Sequence, residues 1–329
     1  MAADTTEPSY WLNWRFLVSA LYVFGTIVFA SYLIWKHEGR KKVDDERREG
    51  GVIPGGVLYK DEVWKTCLKS IHPTFLLAFR IFAFFLLLAL ITGNVVIAGP
   101  GIFFFYTQWT FLLTTVYFGL ASTFSVYGCW SDRGGACHFK MASQNTDAEQ
   151  GSYVAPKLGG SPNTSLLKSL KNQEVHVRPI AGSMVYLLQI LYQVTAGAVL
   201  LTDVVFWLVL YPFEFSKEHK LSFFDVSMHS VNILILGDAI LNCLRFPFFR
   251  ISYFILWTGA FVICQWIIHA CVSLRWPYPF MDLSPPYAPI WYAAVGLLHI
   301  PCFGVFALIV KLKHVWLSRS FSESYQGTR

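Results

Sequence analysis

A chain of 329 residues that is 55% hydrophobic, 17% aromatic and only 14% charged is too apolar for a soluble globule. Its net charge of +6 needs no nucleic-acid partner, because the basic residues sit in loops that flank apolar runs. Those runs number seven and exceed the ~10-residue alternating strands of a membrane barrel. At roughly 20 apolar residues per crossing of a ~30 Å hydrocarbon layer, they predict an all-α polytopic membrane protein. A single transmembrane domain over 1–329 is expected, built as a bundle of seven helices.

The first run, 14–35, follows an acidic flank (MAADTTEPSYWLNW) and lacks a small-residue cleavage site, so it is expected to be a retained signal-anchor helix. Residues 36–73 form a charged loop with a Gly/Pro-rich middle. The second run, 74–98, carries Arg80, and the third, 102–128, holds Thr107 five residues inside its start. Residues 130–182 are polar and rich in Ser, Asn, Gly and Pro, which predicts a flexible cytoplasmic loop. The only glycosylation sequon, Asn163-Thr164-Ser165, lies there and is expected to stay unmodified.

The fourth run, 184–211, contains Asp203. The fifth, 224–246, contains His229 near its start and Asp238 further on. His269 ends the sixth, 251–274, and His299 sits inside the seventh, 289–311. Seven cysteines (Cys67, Cys129, Cys137, Cys243, Cys264, Cys271 and Cys302) form no disulfide framework. Cys129, Cys137 and His138 do not match a zinc pattern, so neither a metal nor another cofactor is expected.

Orientation follows from the basic residues. Assigning the loop after the first run, the 129–183 loop, the 212–223 segment and the C-terminal tail to the cytoplasm gives that side 21 Lys and Arg. Arg15, Arg245, Arg250 and Arg275 give the other side four. The N-terminus is therefore expected outside and the C-terminus in the cytoplasm.

Ionisable groups inside a bilayer are costly and default to paired or functional roles. Arg80 and Asp238 can meet as a structural ion pair or form part of a proton or ion relay. Asp203 can orient an imidazole or bond to a neighbouring helix. His269 and His299 can line an outer cavity or serve packing.

Thr107 and His229 carry the functional reading. Both of their helices run inward from the same side, and Thr107 lies roughly 7 Å below its helix start at 1.5 Å per residue. His229 falls at a comparable depth. If the helices touch, His229 can take the Thr107 proton as the hydroxyl attacks a carbonyl. The alternatives are a Thr107 hydroxyl bonded back to its own helix and a His229 used for packing.

The run Tyr106-Thr107-Gln108-Trp109-Thr110-Phe111-Leu112-Leu113-Thr114-Thr115-Val116-Tyr117-Phe118-Gly119 resembles the "L-T-x-W/I…Φ-F" helix of the androgen-induced FAR-17a-like membrane proteins. Ser227-Met228-His229-Ser230, before Leu244-Arg245-Phe246-Pro247, is similar to their "G-M-H-T" helix. Trp276-Pro277-Tyr278-Pro279-Phe280 is similar to their "W-x-Y-P-Φ" loop. The order matches across about residues 74–315, and the chain looks closer to the plant-type and rolling-stone-like branch of that superfamily. The additional first helix and the 130–182 insertion depart from the compact six-helix hydrolases.

The resemblance implies two functions. In the hydrolase branch, intramembrane threonine hydrolases cleave fatty acid esters of hydroxy fatty acids, and Thr107 and His229 fall on the nucleophile and histidine positions. The rolling-stone branch implies a non-catalytic scaffold or cell-surface role instead. The expected partners are membrane lipids and a fatty acid ester substrate, in the ER or plasma membrane. Gln108, Ser230 and Asn232 are candidate oxyanion donors, and Tyr106 and Trp109 fit an aromatic belt. A transporter is disfavoured because no pair of broken helices is legible.

Overall fold

The computed structural model describes residues 4–38, 59–148, 181–215 and 221–327, and positions 132–148 and 213–215 by their backbone alone. A short α1 (Pro8–Trp11) precedes α2 (Trp14–Glu38), α3 (Pro73–Ala98) and α4 (Tyr106–Ala148). Next come α5 (Ser183–Val205), α6 (Phe223–Met228) and α7 (Ile233–Leu241), then α8 (Ile251–Cys271) and α9 (Ala288–Ser320). They supply seven candidate membrane spans, with α6 and α7 sharing the fifth. The protein is an all-α polytopic bundle.

Local sequence explains the helix starts. Pro73 opens α3 behind His72, whose ring accepts from the Thr74 N–H. Ser222 and Asp225 form a reciprocal capping box at the start of α6. Pro100–Phe104 forms a 3-10 turn, so α4 begins at Tyr106 rather than near Ile102. This shift makes Thr107 the second residue of its helix.

α5 is the most buried span and packs against α4, α8 and α9. The extra first helix also belongs to the bundle, because α2 packs against α8 and α9. Two glycines permit that approach. A Cβ on Gly259 would meet Ile27 Cδ1 at 2.9 Å, and one on Gly296 would fall 2.0 Å from the Tyr22 hydroxyl.

Arg80 and Asp238 form a fully buried ion pair, with Arg80 Nε 2.7 Å from Asp238 Oδ1. Arg80 also donates to the Val63 carbonyl at 2.6 Å and to Ser125 Oγ at 2.8 Å. Asp238 accepts from the Tyr117 hydroxyl at 2.5 Å and from Asn242 Nδ2 at 2.8 Å. Each charge thus has the extra partners that make such burial tolerable.

Several expectations change. The fifth run is not one helix, because it breaks at His229–Asn232 between α6 and α7. The fourth span widens to π geometry over Phe206–Phe215, around Pro212. The third helix continues to Ala148, so the segment expected to be a loop begins helical. Asn163 lies outside the described residues, as does the rest of that segment from 149 to 180.

Alternation of the spans also exchanges two connections. The fourth and fifth spans meet on the face that carries the N-terminus, and the fifth and sixth meet on the opposite face. Arg245 and Arg250 therefore lie on the face opposite the one expected, while Lys217 and Lys220 fall outside the described residues.

Candidate functional site

Thr107 and His229 line one cavity near the face that carries the N-terminus. Its volume is about 140 Å³. Its walls come from α2, the first turn of α4, α5 and its π extension, α8, α9 and the Tyr278–Met281 segment. Leu201, Val205, Phe261, Val262 and Val295 make much of that wall apolar.

Starting α4 at Tyr106 gives Thr107 its particular chemistry. In the first turn its N–H has no intrahelical acceptor. That N–H donates to the Tyr278 hydroxyl, 3.4 Å away. Thr114, Thr115 and Thr202 each bond back to a carbonyl four residues earlier, but no such bond is found for Thr107 among the described residues. Burial pushes the Tyr278 phenol above its ordinary range, and its contacts with Thr107 partly offset that shift. The phenol is therefore a proton donor at neutral pH.

His229 stands at the helix break. Its backbone leaves helical geometry at φ −112° and ψ 11°. The carbonyls this exposes are satisfied by side chains: Trp207 Nε1 donates to His229 O at 3.2 Å, and Asn232 Nδ2 to Met228 O at 2.9 Å. Phe206 stacks on the imidazole with centroids 3.7 Å apart and planes within 4°.

The His229 Nδ1 lies 3.5 Å from Asp203 Oδ1, and Asn232 Nδ2 holds the same oxygen at 2.9 Å. The buried Nδ1 has no hydrogen-bond partner in this arrangement. A small ring rotation would give it the carboxylate and leave Nε2 to act as base. Thr107 and His229 share the cavity, but no hydrogen bond joins them.

Some sequence candidates fall outside the cavity. Gln108, Ser230 and Asn232 do not line it, and Asn232 spends its amide on Asp203 and Met228. The donor beside Thr107 is Tyr278, whose only sequence signal is its place in the Trp276–Phe280 loop motif. Trp109 donates to Phe103 O at 2.8 Å and packs against Trp257 and Phe261. His269 also lies elsewhere, stacked on Trp276 at 3.8 Å. Tyr106 is buried and bonds to Thr258, whereas an aromatic-belt residue would sit at the membrane surface.

The roof over the cavity is latched to the N-terminal segment. The Tyr10 hydroxyl donates to Asp282 Oδ1 at 2.7 Å and accepts from Trp276 Nε1 and the Leu283 N–H, each at 2.9 Å. Arg15 donates to the Ser284 carbonyl at 2.6 Å. Burial, together with the Asp282 carboxylate, pushes the Tyr10 phenol up to about 12.

Among the described residues, no group of three or more His, Cys, Asp or Glu side chains could hold a metal ion. Comparison of the chain with protein-family models, curated proteins and solved structures gave no match.

Proposed function

We propose that this multi-pass membrane protein is an intramembrane lipid ester hydrolase, with Thr107 as nucleophile and His229 as general base. The observation that carries this reading is that both side chains open onto one mostly apolar cavity. Thr107 there, in the first turn of its helix, makes no hydroxyl back-bond to a carbonyl four residues earlier.

The chemistry follows from the groups present. His229 Nε2 takes the Thr107 proton as Oγ attacks the ester carbonyl, while Asp203 faces the imidazolium that forms. The Tyr278 hydroxyl is the nearest donor for the developing oxyanion. Collapse of the intermediate expels the alcohol, which takes its proton from His229. Water then releases the fatty acid from the acyl-threonine. Closing Thr107 onto His229 is a substrate-induced step, since catalytic hydrogen bonds often tighten only in the complex.

The basic-residue bias supports an outside N-terminus and a cytoplasmic C-terminus, which puts this cavity near the outer surface. The ER and plasma membrane both fit. The resemblance to the FAR-17a-like hydrolases favours fatty acid esters of hydroxy fatty acids as substrates. The second reading is a non-catalytic scaffold of the rolling-stone type, favoured by the missing Thr107–His229 hydrogen bond.

Incubating purified protein with an alkyl fluorophosphonate and a long-chain fatty ester separates the two. A probe adduct on Thr107 that disappears in His229→Ala, with ester turnover lowered in both Thr107→Ala and His229→Ala at unchanged thermal stability, supports the hydrolase. A wild type with neither labelling nor turnover leaves the scaffold.

A further inference from the structure

The same cavity holds a second hydroxyl–imidazole pair, and here the hydrogen bond is already made. Thr258 Oγ1 lies 2.8 Å from His299 Nε2, and both residues line the cavity. The proton arrangement follows from the partners. His299 Nδ1 lies 3.0 Å from the Val295 carbonyl, which can only accept, so Nδ1 carries the ring proton. Nε2 is then an acceptor, and the Thr258 hydroxyl donates to it.

The Tyr106 hydroxyl, 2.9 Å from Thr258 Oγ1, completes the chain by donating to the oxygen that has spent its own proton. The Phe254 carbonyl, the ordinary back-bond acceptor for Thr258, is further away at 3.3 Å. The imidazole is held from its far side as well, since the Phe254 ring packs against it with centroids 4.3 Å apart.

We infer that Thr258 and His299 form a second nucleophile–base pair, able to accept an acyl group in its own right. The inference rests on the reading that this cavity admits lipid esters. As Thr258 Oγ bonds to the acyl carbon, its proton passes to His299 Nε2. The carbon–alkoxy bond breaks, and the leaving alkoxide takes that proton as the alcohol departs. The product is an ester on Thr258, which water cleaves by the reverse proton path. Tyr106, released from Thr258 Oγ during attack, is the hydroxyl beside the developing oxyanion.

Sequence spacing gave no hint of this pair. Thr258 and His299 are 41 residues apart on different spans, and only the packing of α8 against α9 brings them together.

The test maps where an alkyl fluorophosphonate attaches, by peptide mass spectrometry of the full-length protein in detergent micelles. The serine or threonine oxygen displaces fluoride and keeps the phosphonate, so the adduct marks the nucleophile. The expected result is an adduct on Thr258 that persists in Thr107→Ala and disappears in Thr258→Val. Thr258→Ser should restore it, and His299→Gln should slow its formation about 10²–10⁴-fold. Thermal unfolding of each variant checks that the bundle is intact.

An adduct confined to Thr107 overturns this inference and leaves the proposed hydrolase standing. An adduct confined to Thr258 upholds the second pair and removes Thr107 as nucleophile. No adduct on either residue, with no ester turnover, overturns both.

Discussion

The two polar clusters inside this bundle have opposite characters. Around Arg80 and Asp238 every strong donor and acceptor named above is paired, and both charged side chains are fully buried. Around Thr107, His229 and Asp203 the groups approach without closing: Nδ1 is unpartnered, and the carboxylate stops at 3.5 Å. The second opens onto a cavity that none of the first cluster's residues line. A saturated network in a low-dielectric interior fixes structure, and an unsaturated one facing space is free to act on a ligand.

The largest expected effect breaks the saturated cluster. Asp238→Ala should strand the Arg80 guanidinium and cost about 3–5 kcal/mol, read as a collapse of thermal stability in detergent. Retention of wild-type stability would remove the distinction between the clusters. On the cavity side the order should invert. His229→Gln should lower ester turnover about 10²–10⁴-fold with little change in melting temperature. Asp203→Asn should lower kcat more than it raises KM, because the carboxylate orients the base without touching substrate.

Smaller effects sharpen the same contrast. Trp207→Phe removes one donor from the helix break and should cost about 0.5–1.5 kcal/mol. Its reduction of turnover should exceed what that stability loss explains.

The Tyr10 latch predicts a pH dependence. Its phenol is raised from 10 to about 12 in the folded protein, so its stabilising contribution is complete below pH 10. That contribution should fade as pH rises through about 12, whereas Tyr10→Phe should show no such loss in this window. Melting temperatures measured across that range decide it.

The sidedness of the cavity has its own check: Asn163 should carry no glycan in a eukaryotic host, while a sequon added before Tyr10 should be glycosylated. The reverse pattern would put the cavity on the cytoplasmic side.

Much of the architecture was legible because it depends on chain-local physics. Runs such as 74–98 and 251–274 are apolar over a bilayer's width, and only helices satisfy their backbone there. Arg80 and Asp238 stood out because lone charges in such runs demand a partner. The fifth span misled, since 224–246 reads as one continuous helix although the polar cluster His229, Ser230 and Asn232 stands where it breaks. At that break Trp207 and Asn232 donate to the His229 and Met228 carbonyls that helix continuity would otherwise satisfy, and Asp203 holds the Asn232 amide.

By itself, then, the sequence determined the membrane class, the seven spans and the few polar residues within them, because hydrophobic length and charge act locally along the chain. Tertiary structure alone decided which of those residues share a space. It set Asp203 against His229, put Tyr278 over Thr107 and joined Thr258 to His299. These meetings depend on helix contacts, on the start of α4 and on the glycines that admit α2. Such close approaches are fixed by packing between distant segments, which no pattern along one segment encodes.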